Sequence, residues 1–281
     1  SFKDIDLVLS SSGSSTSKQY VKDITSSGAV IVDNSSAFRM DKDVPLVIAG
    51  VNDDDLKNHK GIVANPNCST SQLMLVLKPL HEVNKIKRLV VSTYQSVSGA
   101  GLSAINELTD SIEAAIKGDD FIPKAFQRKI GFNLIPQIDA FSEEDYTKEE
   151  LKVVYETQKI LHAPDMKICC TAVRVPVYVS HSESVNIDFE NPITPQEVKD
   201  ILSKAYGVEL MDDIDNLVYP TPQDAAGKDP VYVGRIRKDI SGENSIALWC
   251  VADNLRIGAA LNTVRLAEKL IDMKLLQYQQ V

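Results

Sequence analysis

Short apolar runs alternate with helical patterns along the first third of the chain. The runs at residues 5–9, 29–33, 45–51 and 61–64 are each bounded by polar turn residues, which predicts four short buried strands. A helical pattern between the first two runs stops at Gly28, a residue type that commonly ends helices. This alternation predicts a parallel, doubly wound sheet, which binds its ligands at the carboxyl ends of the strands.

Longer helices and strands follow. The hydrophobic spacing predicts helices over about residues 68–80, 103–117, 148–161 and 255–275, a further helix that begins at Thr194, and long strands in IKRLVVSTYQ and over residues 168–189, 231–239 and 245–253. Long strands with intervening helices are typical of an α+β domain. The pattern therefore predicts an α/β protein with a second, α+β domain.

Composition narrows the function classes. The 281 residues are 43% hydrophobic and 25% charged, as in an ordinary globular protein large enough for two domains. The net charge is −9 and the lysines and arginines are scattered, which argues against nucleic-acid binding but leaves room for a small anionic substrate. No apolar run is long enough to predict a membrane span or a signal peptide.

The four cysteines and four histidines predict neither a disulfide framework nor a metal site. Cys169 and Cys170 are adjacent, no CxxC or HxxxH pattern occurs, and the histidines are isolated from one another. We therefore expect a reduced, cytoplasmic setting and no metal.

The stretch ANPNCSTSQ, residues 64–72, places Cys68 where a turn gives way to a helix. A thiol at a helix N-terminus meets a partial positive charge and free N–H groups, which favour a thiolate and stabilise an oxyanion. The alternative is a small buried cysteine after a turn, and this stretch alone leaves both open. Cys169, Cys170 and Cys250 lie in apolar β runs, where a structural role is the default.

Three further polar residues are candidates for a functional site. His181 lies in a polar break of a long β segment and is a candidate proton-transfer partner, although a lone histidine is usually structural. Arg174 interrupts an apolar run, as either a buried ion pair or a carboxylate clamp. Arg39, in the loop DNSSAFRMD, either helps to bind an anion or pairs with Asp41 or Asp43 in a solvated loop.

Two weaker patterns complete the candidates. Glu149 and Lys152 are three residues apart on a predicted helix, where a surface ion pair is the ordinary interpretation. The loop SVSGAG, residues 96–101, consists of small residues and suits the close approach of a flat ligand, but such short motifs are common.

Together these stretches resemble the aspartate-β-semialdehyde dehydrogenase family. The resemblance extends from Ile5 onward and rests on the motifs VDNSSAFRMD, ANPNCSTSQL, STYQSVSGAG, FNLIPQID, RVPVYVSHSES, VGRIRKD and DNLRIGAALNTVRLAE. It implies NADP-dependent, reversible reductive dephosphorylation of L-aspartyl-β-phosphate to L-aspartate-β-semialdehyde, on the route to lysine or diaminopimelate, threonine and methionine. It also implies a homodimer, with the small substrate and inorganic phosphate as its other partners.

The resemblance implies a role for each candidate residue. Cys68 would form an acyl-thioester, His181 would be the general acid and base, and Gln95 would orient Cys68 and the intermediate. The binding residues would be Arg174 for the substrate carboxylate, Glu149 for its ammonium group, Arg39 and Lys152 for phosphate, and Ser12, Gly13, Ser98, Gly99 and Asn254 for the cofactor.

One family motif has no counterpart in the sequence. The glycine-rich turn of the GATGxVG kind, which holds the cofactor phosphates, does not occur, so we expect weaker cofactor binding. We accordingly predict a partial dinucleotide-binding domain over residues 1–66, completed by a C-terminal helix over about residues 254–281. Residues 67–253 would form the catalytic and dimerisation domain, and the choice between NADP and NAD stays open.

Two alternatives remain at this stage. One is a related acyl-phosphate reductase for another amino-acid phosphate, although an N-acylated substrate has no ammonium group for Glu149 to bind. The other is a non-catalytic fragment that only dimerises.

Overall fold

The computed structural model describes residues 2–276, and its first sheet is parallel, as the sequence predicts. Within that range the sheet consists of three strands in the order β1 (Leu7–Ser10), β2 (Val30–Asp33) and β3 (Ile62–Ala64). Helix α1 (Ser14–Ser26) joins β1 to β2. The chain then turns at Gly28, whose φ of +89° would strain any residue with a Cβ.

The strand predicted over residues 45–51 is wrong. Only Leu46 forms an isolated parallel bridge, to Ala64, and the chain turns soon afterwards. Side chains take the place of a neighbouring strand, because Asn52 Oδ1 accepts the N–H of Ile48 and Asn262 Oδ1 accepts the N–H of Ala49. The apolar run is largely buried, but beyond this one bridge its backbone hydrogen bonds are not those of a strand.

The second sheet is mixed and, within the described residues, six-stranded. Its strands are β4 (Ile86–Gln95), β5 (Lys167–Arg174), β6 (His181–Phe189), β7 (Val208–Leu210), β8 (Val231–Lys238) and β9 (Ser245–Ala252), in the order β5-β4-β6-β9-β8-β7. The predicted strands at residues 231–239 and 245–253 are confirmed as the antiparallel pair of β8 and β9. Pairing is parallel at both edges of the sheet and antiparallel between.

The single long strand predicted over residues 168–189 is two strands that are not neighbours. β4 lies between β5 and β6, parallel to the first and antiparallel to the second. The chain crosses over β4 through a segment that contains Pro176 and ends at Ser180, with a φ of +79°. This crossing brings Arg174, the last residue of β5, to the same end of the sheet as His181, the first residue of β6.

Six α-helices follow α1 within the described residues. They are α2 (Cys68–Val83), α3 (Leu102–Lys117), α4 (Lys148–Ile160), α5 (Pro195–Leu202), α6 (Pro222–Ala225) and α7 (Leu261–Asp272). The predicted cap at Thr194 is confirmed as a capping box that starts α5. Helix α2 is the centre of the main core, because every residue from Ser69 to Leu77 is buried.

The last helix returns to the first sheet. Leu266 and Leu270 of α7 pack with Val30, Val32 and Val63. A π-helical turn at Arg256–Ala260 leads directly into α7, and residues 277–281 of the predicted C-terminal helix lie outside the described range. Among residues 2–276, no helix has the length and apolar character needed to cross a membrane.

Candidate active site

A cavity of about 480 Å³ opens between the two sheets. Its walls come from the loop after β2, the N-terminus of α2, the ends of β4 and β5, helix α4 and the π-helical turn. The lining contains these predicted residues: Arg39, Cys68, Gln95, Ser98, Gly99, Glu149, Lys152, Arg174 and Asn254. Residues up to 215 positions apart in the chain thus meet in one cavity, as the predicted site requires.

Cys68 is the first residue of α2 and is partly exposed to the cavity. Asn67 is the N-cap residue, since its Oδ1 accepts the N–H of Ser69 at 3.0 Å and of Thr70 at 3.5 Å. Burial and the charge of Glu149 raise the pKa of the Cys68 thiol to about 12, although Arg174 and Arg39 oppose them.

The helix N-terminus acts in the predicted direction, since the N–H of Ser69 lowers the pKa of the thiol, but burial and Glu149 outweigh it in the free protein. The side chain of Asn67 already accepts the first N–H groups of α2, so they are shared rather than free for the sulfur. Glu149 adds a negative charge on the cavity side. Cys68 is at rest a protonated thiol.

The π-helical turn lies directly against this cysteine. A Cβ built on Gly258 would lie 2.5 Å from Cys68 Cβ and 2.8 Å from Cys68 Cα. Only a residue without a side chain allows this approach. Gly258 therefore fixes one side of the space around the thiol.

Glu149 is at the centre of a buried hydrogen-bond network. Its Oε1 accepts from Asn67 Nδ2 at 2.9 Å and from Gln95 Nε2 at 3.2 Å, and its Oε2 accepts from Lys152 Nζ at 3.1 Å. Burial raises the pKa of Glu149, but Lys152, Asn67 and Gln95 outweigh burial and hold that pKa below its usual value. The cavity thus contains an ionised carboxylate beside the cysteine.

Lys152 bridges two carboxylates rather than one. Its Nζ contacts Asp139 Oδ2 at 3.0 Å as well as Glu149 Oε2. Burial lowers the pKa of Lys152, but the two carboxylates more than compensate and raise it above the usual value. Lys152 is therefore charged and lies at the cavity wall beside Glu149 rather than on a solvated helix surface.

Arg174 is 5% exposed and lines the cavity at the end of β5. Its Nη1 donates to Ser96 O at 2.6 Å, and its guanidinium lies 5.9 Å from the centre of the Phe126 ring. Burial lowers the pKa of Arg174, while Cys68 and Glu149 oppose the shift; an arginine stays charged in any case. No ion pair of Arg174 occurs within residues 2–276, which favours the carboxylate clamp over the buried ion pair.

His181 is fully buried and lies behind Gly99, outside the cavity lining. A Cβ on Gly99 would lie 3.2 Å from His181 Nε2 and from Arg174 Nη1, so the glycine keeps the wall thin at this point. Burial and the nearby Arg174 lower the pKa of His181 to about 3. The imidazole is therefore neutral at physiological pH.

The tautomer of His181 follows from its neighbours. Nδ1 lies 3.1 Å from the backbone N–H of Ser96, which can only donate, so Nδ1 accepts and the ring proton resides on Nε2. Nε2 has no protein partner among the described residues. Ser96 Oγ, also 3.1 Å from Nδ1, offers an acceptor for the other tautomer.

Asn254 connects three loops behind the cavity. Its Oδ1 accepts from Ser96 Oγ and Ser98 Oγ at 3.1 Å each, and from the N–H of Ser180 at 2.9 Å. These bonds order the SVSGAG loop beside His181. A contact between Asn254 and a cofactor remains a prediction.

Arg39 is 8% exposed and does not pair with Asp41 or Asp43. Asp43 instead pairs with Lys60. The solvated-loop alternative for Arg39 is therefore wrong. Its guanidinium is held by Glu156 and by two backbone carbonyls, at the edge of the cavity.

The two remaining candidates lie outside this cavity. Ser12 lines a separate pocket of about 230 Å³ beside Thr16 and Tyr20, and Gly13 precedes α1. The start of α1 is nevertheless close to the main cavity, because Ser14 Oγ lies 3.1 Å from Ser36 Oγ, which lines it. Cofactor contacts of Ser12 and Gly13 remain predictions.

The sequence predicted no role for four residues of the site, which are Asn67, Asp139, Glu156 and Gly258. Asn67 alone had a local signal, since asparagine before a helical pattern is a common N-cap. The partners of Glu156 are 89 and 117 positions away, so no local pattern could reveal it. No metal-binding group of His, Cys, Asp or Glu side chains occurs in the described part of the chain.

Comparison with known proteins identifies the family. The family model for the semialdehyde dehydrogenase NAD binding domain matches residues 1–59, and the model for the semialdehyde dehydrogenase dimerisation domain matches residues 77–257. Aspartate-semialdehyde dehydrogenase of Aquifex aeolicus is 50% identical over 275 residues, which are 96% of this chain and 81% of that protein. The chain belongs to the aspartate-semialdehyde dehydrogenase family.

Solved structures of aspartate-semialdehyde dehydrogenases agree with the fold. Aspartate semialdehyde dehydrogenase II of Vibrio cholerae, complexed with ASA, has a TM-score of 0.92 and 43% identity, and the match covers 95% of this chain and 79% of that one. The enzyme of Candida albicans, solved with NADP, has a TM-score of 0.74 and 26% identity over 95% of this chain and 77% of that one. The predicted family and the α/β fold class are thus confirmed.

Proposed function

We propose that the chain catalyses the reversible, NADP-dependent reductive dephosphorylation of L-aspartyl-β-phosphate to L-aspartate-β-semialdehyde, through a thioester on Cys68. The observation that carries the proposal is the arrangement around the thiol, where Arg174, Glu149 and Arg39 line one cavity with it. Family membership supports the same reaction, which supplies the route to lysine or diaminopimelate, threonine and methionine.

The charges of the cavity match those of the substrate. The planar fork of Arg174 pairs with the α-carboxylate, the ionised Glu149 accepts from the α-ammonium group, and Arg39 binds the phosphate. Lys152 supplies a second cation for phosphate once the substrate competes for Glu149 and Asp139. An N-acylated substrate has no ammonium group to pair with the ionised Glu149, which disfavours the related acyl-phosphate reductase.

The chemistry begins at the cysteine. Cys68 gives its proton to Nε2 of His181, its sulfur bonds to the acyl carbon, and the bond from that carbon to the phosphate oxygen breaks, so that phosphate leaves from between Arg39 and Lys152. Gln95, whose side chain is held by Glu149, orients Cys68 and the bound intermediate. Reduction of the thioester gives a tetrahedral oxyanion, which collapses to the aldehyde and returns the sulfur to Cys68.

His181 serves this sequence in two tautomers. With its proton on Nε2, the ring donates a hydrogen bond to the oxyanion. To accept a proton at Nε2, the ring must instead place its proton on Nδ1, where Ser96 Oγ accepts it. We assign the general acid and base role to His181 on this basis.

A nicotinamide cofactor fits the same cavity. When bound, NADPH supplies the hydride that reduces the thioester. Ser98 and Gly99 form a wall of small residues that a flat ring can approach closely, and the NAD-binding family model covers the first two strands of the first sheet. The Candida albicans relative was solved with NADP, which supports NADP over NAD.

The domain division and the assembly follow from the two sheets. We assign residues 1–66 and the C-terminal helix to the dinucleotide-binding domain, and residues 67–253 to the catalytic and dimerisation domain. The face of the second sheet opposite α2 carries the half-buried side chains of Ser92, Tyr94, Ser184 and Trp249, and we propose that it pairs with a second copy in a homodimer. The free cysteines support a cytoplasmic location.

Phosphate-dependent reduction of NADP⁺ by L-aspartate-β-semialdehyde tests the reaction. The wild-type protein should form NADPH only when phosphate is present. Cys68→Ala should lose the activity, whereas Cys169→Ala, which removes an exposed thiol outside the cavity, should retain it. Turnover by Cys68→Ala, or turnover independent of phosphate, would contradict the proposal.

A further inference from the structure

Glu156 is a buried carboxylate that joins two separate parts of the site. It lies on α4 and is 1% exposed. Its Oε1 accepts from Arg39 Nη1 at 3.1 Å, and its Oε2 accepts the backbone N–H of Asn67 at 2.7 Å. One side chain thus holds the guanidinium at the cavity edge and the residue that immediately precedes Cys68.

Arg39 is held in a single orientation by three acceptors. Nε donates to Asn65 O at 2.8 Å and Nη2 to Asn34 O at 3.0 Å, in addition to the contact with Glu156. A guanidinium has five N–H groups, so two have no partner within residues 2–276 and are available to an anion. Glu156 is the charged member of the three acceptors and therefore contributes most to holding Arg39.

Helix α4 also holds the backbone on which Arg39 lies. Lys159 Nζ donates to the carbonyls of Arg39 at 2.7 Å, Asp41 at 2.8 Å and Val44 at 2.9 Å. Lys159 is three residues after Glu156, on the same face of the helix. The orientation and the position of Arg39 therefore both depend on α4.

Asn67 transmits the other half of the contact to the thiol. Its N–H binds Glu156, its Oδ1 caps α2, and its Nδ2 binds Glu149. Because Cys68 is the next residue, displacement of Asn67 moves the sulfur. Removal of the Glu156 carboxylate would release the anion-binding arginine and the start of α2 together.

We propose that Glu156 is a positioning residue that sets the spacing between the phosphate held by Arg39 and the sulfur of Cys68. The inference rests on the proposed function, in which phosphate must meet the thioester carbon held on that sulfur. A carboxylate with both oxygens used in this way acts as a rigid spacer, since neither contact can move without the other.

Glu156→Gln tests the spacer, because the amide keeps the shape but turns a donor toward one of the two N–H groups. The KM for phosphate should rise at least about tenfold, the size expected for one hydrogen bond to a charged group, while the KM for the aldehyde changes less than about twofold.

Glu150→Gln is the matched control. Glu150 is buried on the same helix and accepts two backbone N–H groups, at 2.7 and 2.9 Å, without touching Arg39 or Asn67. This control should lose stability and keep both KM values.

A double-mutant cycle distinguishes positioning from a general loss of packing. Arg39→Lys should raise the KM for phosphate, and adding Glu156→Gln should raise it by less than about twofold more, because the effect of Glu156 on phosphate binding passes through Arg39. Fully additive effects would overturn the proposal. So would equal changes of both KM values in Glu156→Gln.

Protection of Cys68 from iodoacetamide by inorganic phosphate separates this inference from the proposed reaction, since it needs no turnover. Phosphate should protect the wild-type thiol, and about tenfold more phosphate should be needed in Glu156→Gln. Wild-type protection without turnover would refute the reaction and leave the positioning role standing. Identical protection of both proteins would refute the positioning role. If Glu156→Gln does not fold, Glu156→Asp, which keeps the charge but shortens the spacer, should show the same shift at smaller size.

Discussion

Burial is the main cause of the raised pKa of the Cys68 thiol, and one neighbouring carboxylate adds to it. Glu149 is the second largest cause of the raised pKa of the thiol, after burial. The same carboxylate is the proposed partner of the substrate ammonium group. In this proposal, substrate recognition and the raised pKa of the thiol depend on one residue, so a single mutation should change both.

Glu149→Gln should make the free protein more reactive at Cys68 and less active as an enzyme. Removing the negative charge lowers the pKa of the thiol, so alkylation by iodoacetamide at pH 8 should be faster, by about tenfold for each pKa unit. The KM for the aldehyde should rise. The rate of alkylation at Cys68 is read by mass spectrometry, with Glu150→Gln as control. A slower alkylation would show that Glu149 does not oppose ionisation of the thiol.

The raised pKa of the buried Glu183 predicts that the free energy of unfolding falls as pH rises. It is fully buried on β6, faces Cys250 Sγ at 3.4 Å and Gln72 of α2, and burial raises its pKa to about 8. The unfolded chain loses this proton near pH 4.5 and the folded protein only near pH 8, so the free energy of unfolding should fall as pH rises between these values.

Glu183→Gln should remove that loss, because the amide carries no proton to release. The difference in free energy of unfolding between variant and wild type should grow from pH 4.5 to pH 8 and then level off, by at most about 5 kcal/mol. His181 contributes with the opposite sign, since its pKa of about 3 weakens the fold as pH falls below 6.5, and it cancels in the comparison. The free energies are measured by urea denaturation at each pH. A difference between the two proteins that stays constant from pH 4.5 to pH 8 would contradict the account.

The candidate residues could largely be predicted from the sequence, but their protonation states could not. A turn before a helix, a break in a β run and an arginine in an apolar segment identified Cys68, His181 and Arg174. The raised pKa of Cys68 and the lowered pKa of His181 depend on Glu149 and on burial, which only the folded chain brings about. Local sequence carries no information on such long-range neighbours.

At the scale of elements, the π-helical turn at Arg256–Ala260 positions the backbone beside the cysteine. Such turns insert one extra residue into a helix and are frequent at functional sites. Here the turn brings the backbone of Gly258 against Cys68. The sequence predicted a helix in this region, but the irregular first turn had no recognisable signal.

Gly258→Ala should lower kcat at least about tenfold, because the new methyl group displaces the sulfur from its position. Ala260→Ser adds one atom to the same turn on its exposed side and should leave kcat unchanged. Steady-state kinetics, with melting temperatures recorded in parallel, separates displacement of the thiol from loss of folding. Wild-type kcat in Gly258→Ala would show that the close approach has no role.

Two strand predictions were wrong for different physical reasons. The run at residues 45–51 is apolar and buried, but after the bridge at Leu46 its N–H groups at Ile48 and Ala49 bind side chains of Asn52 and Asn262, so burial did not imply a strand. The run at 168–189 is β structure throughout most of its length, yet β4 separates its two halves. Periodicity reports burial and local conformation, whereas the partner of a strand is set by topology.

At the scale of the whole molecule, the site exists only because the two sheets meet. Arg39 lies in the loop after β2 of the first sheet, Cys68 starts the central helix, and Arg174 ends a strand of the second sheet. The family resemblance predicted that these residues work together, while the pattern of the chain gave no distances between them. The contacts through Asn67, Asp139 and Glu156 emerged only from the folded arrangement.

The proposed dimer predicts that charge on the open sheet face dissociates the assembly. Ser184 lies on β6 in the middle of that face, beside Trp249 of β9. Ser184→Arg should convert a dimer into a monomer, because an interface core excludes an unpaired charge. Val264→Glu, at an exposed position of α7 on the first-sheet side, should leave the dimer intact. Sedimentation velocity measures the oligomeric state of both variants. A dimeric Ser184→Arg would show that the interface lies elsewhere.

The thioester on Cys68 is the central claim, and its direct detection is the most telling measurement. The protein is mixed with L-aspartyl-β-phosphate without NADPH, quenched in acid, digested, and examined by mass spectrometry. The account predicts an aspartyl group on the peptide that contains Cys68, with one phosphate released for each group attached, and no adduct in Cys68→Ala. An unmodified Cys68 peptide alongside protein-dependent phosphate release, or an adduct on another residue, would contradict it.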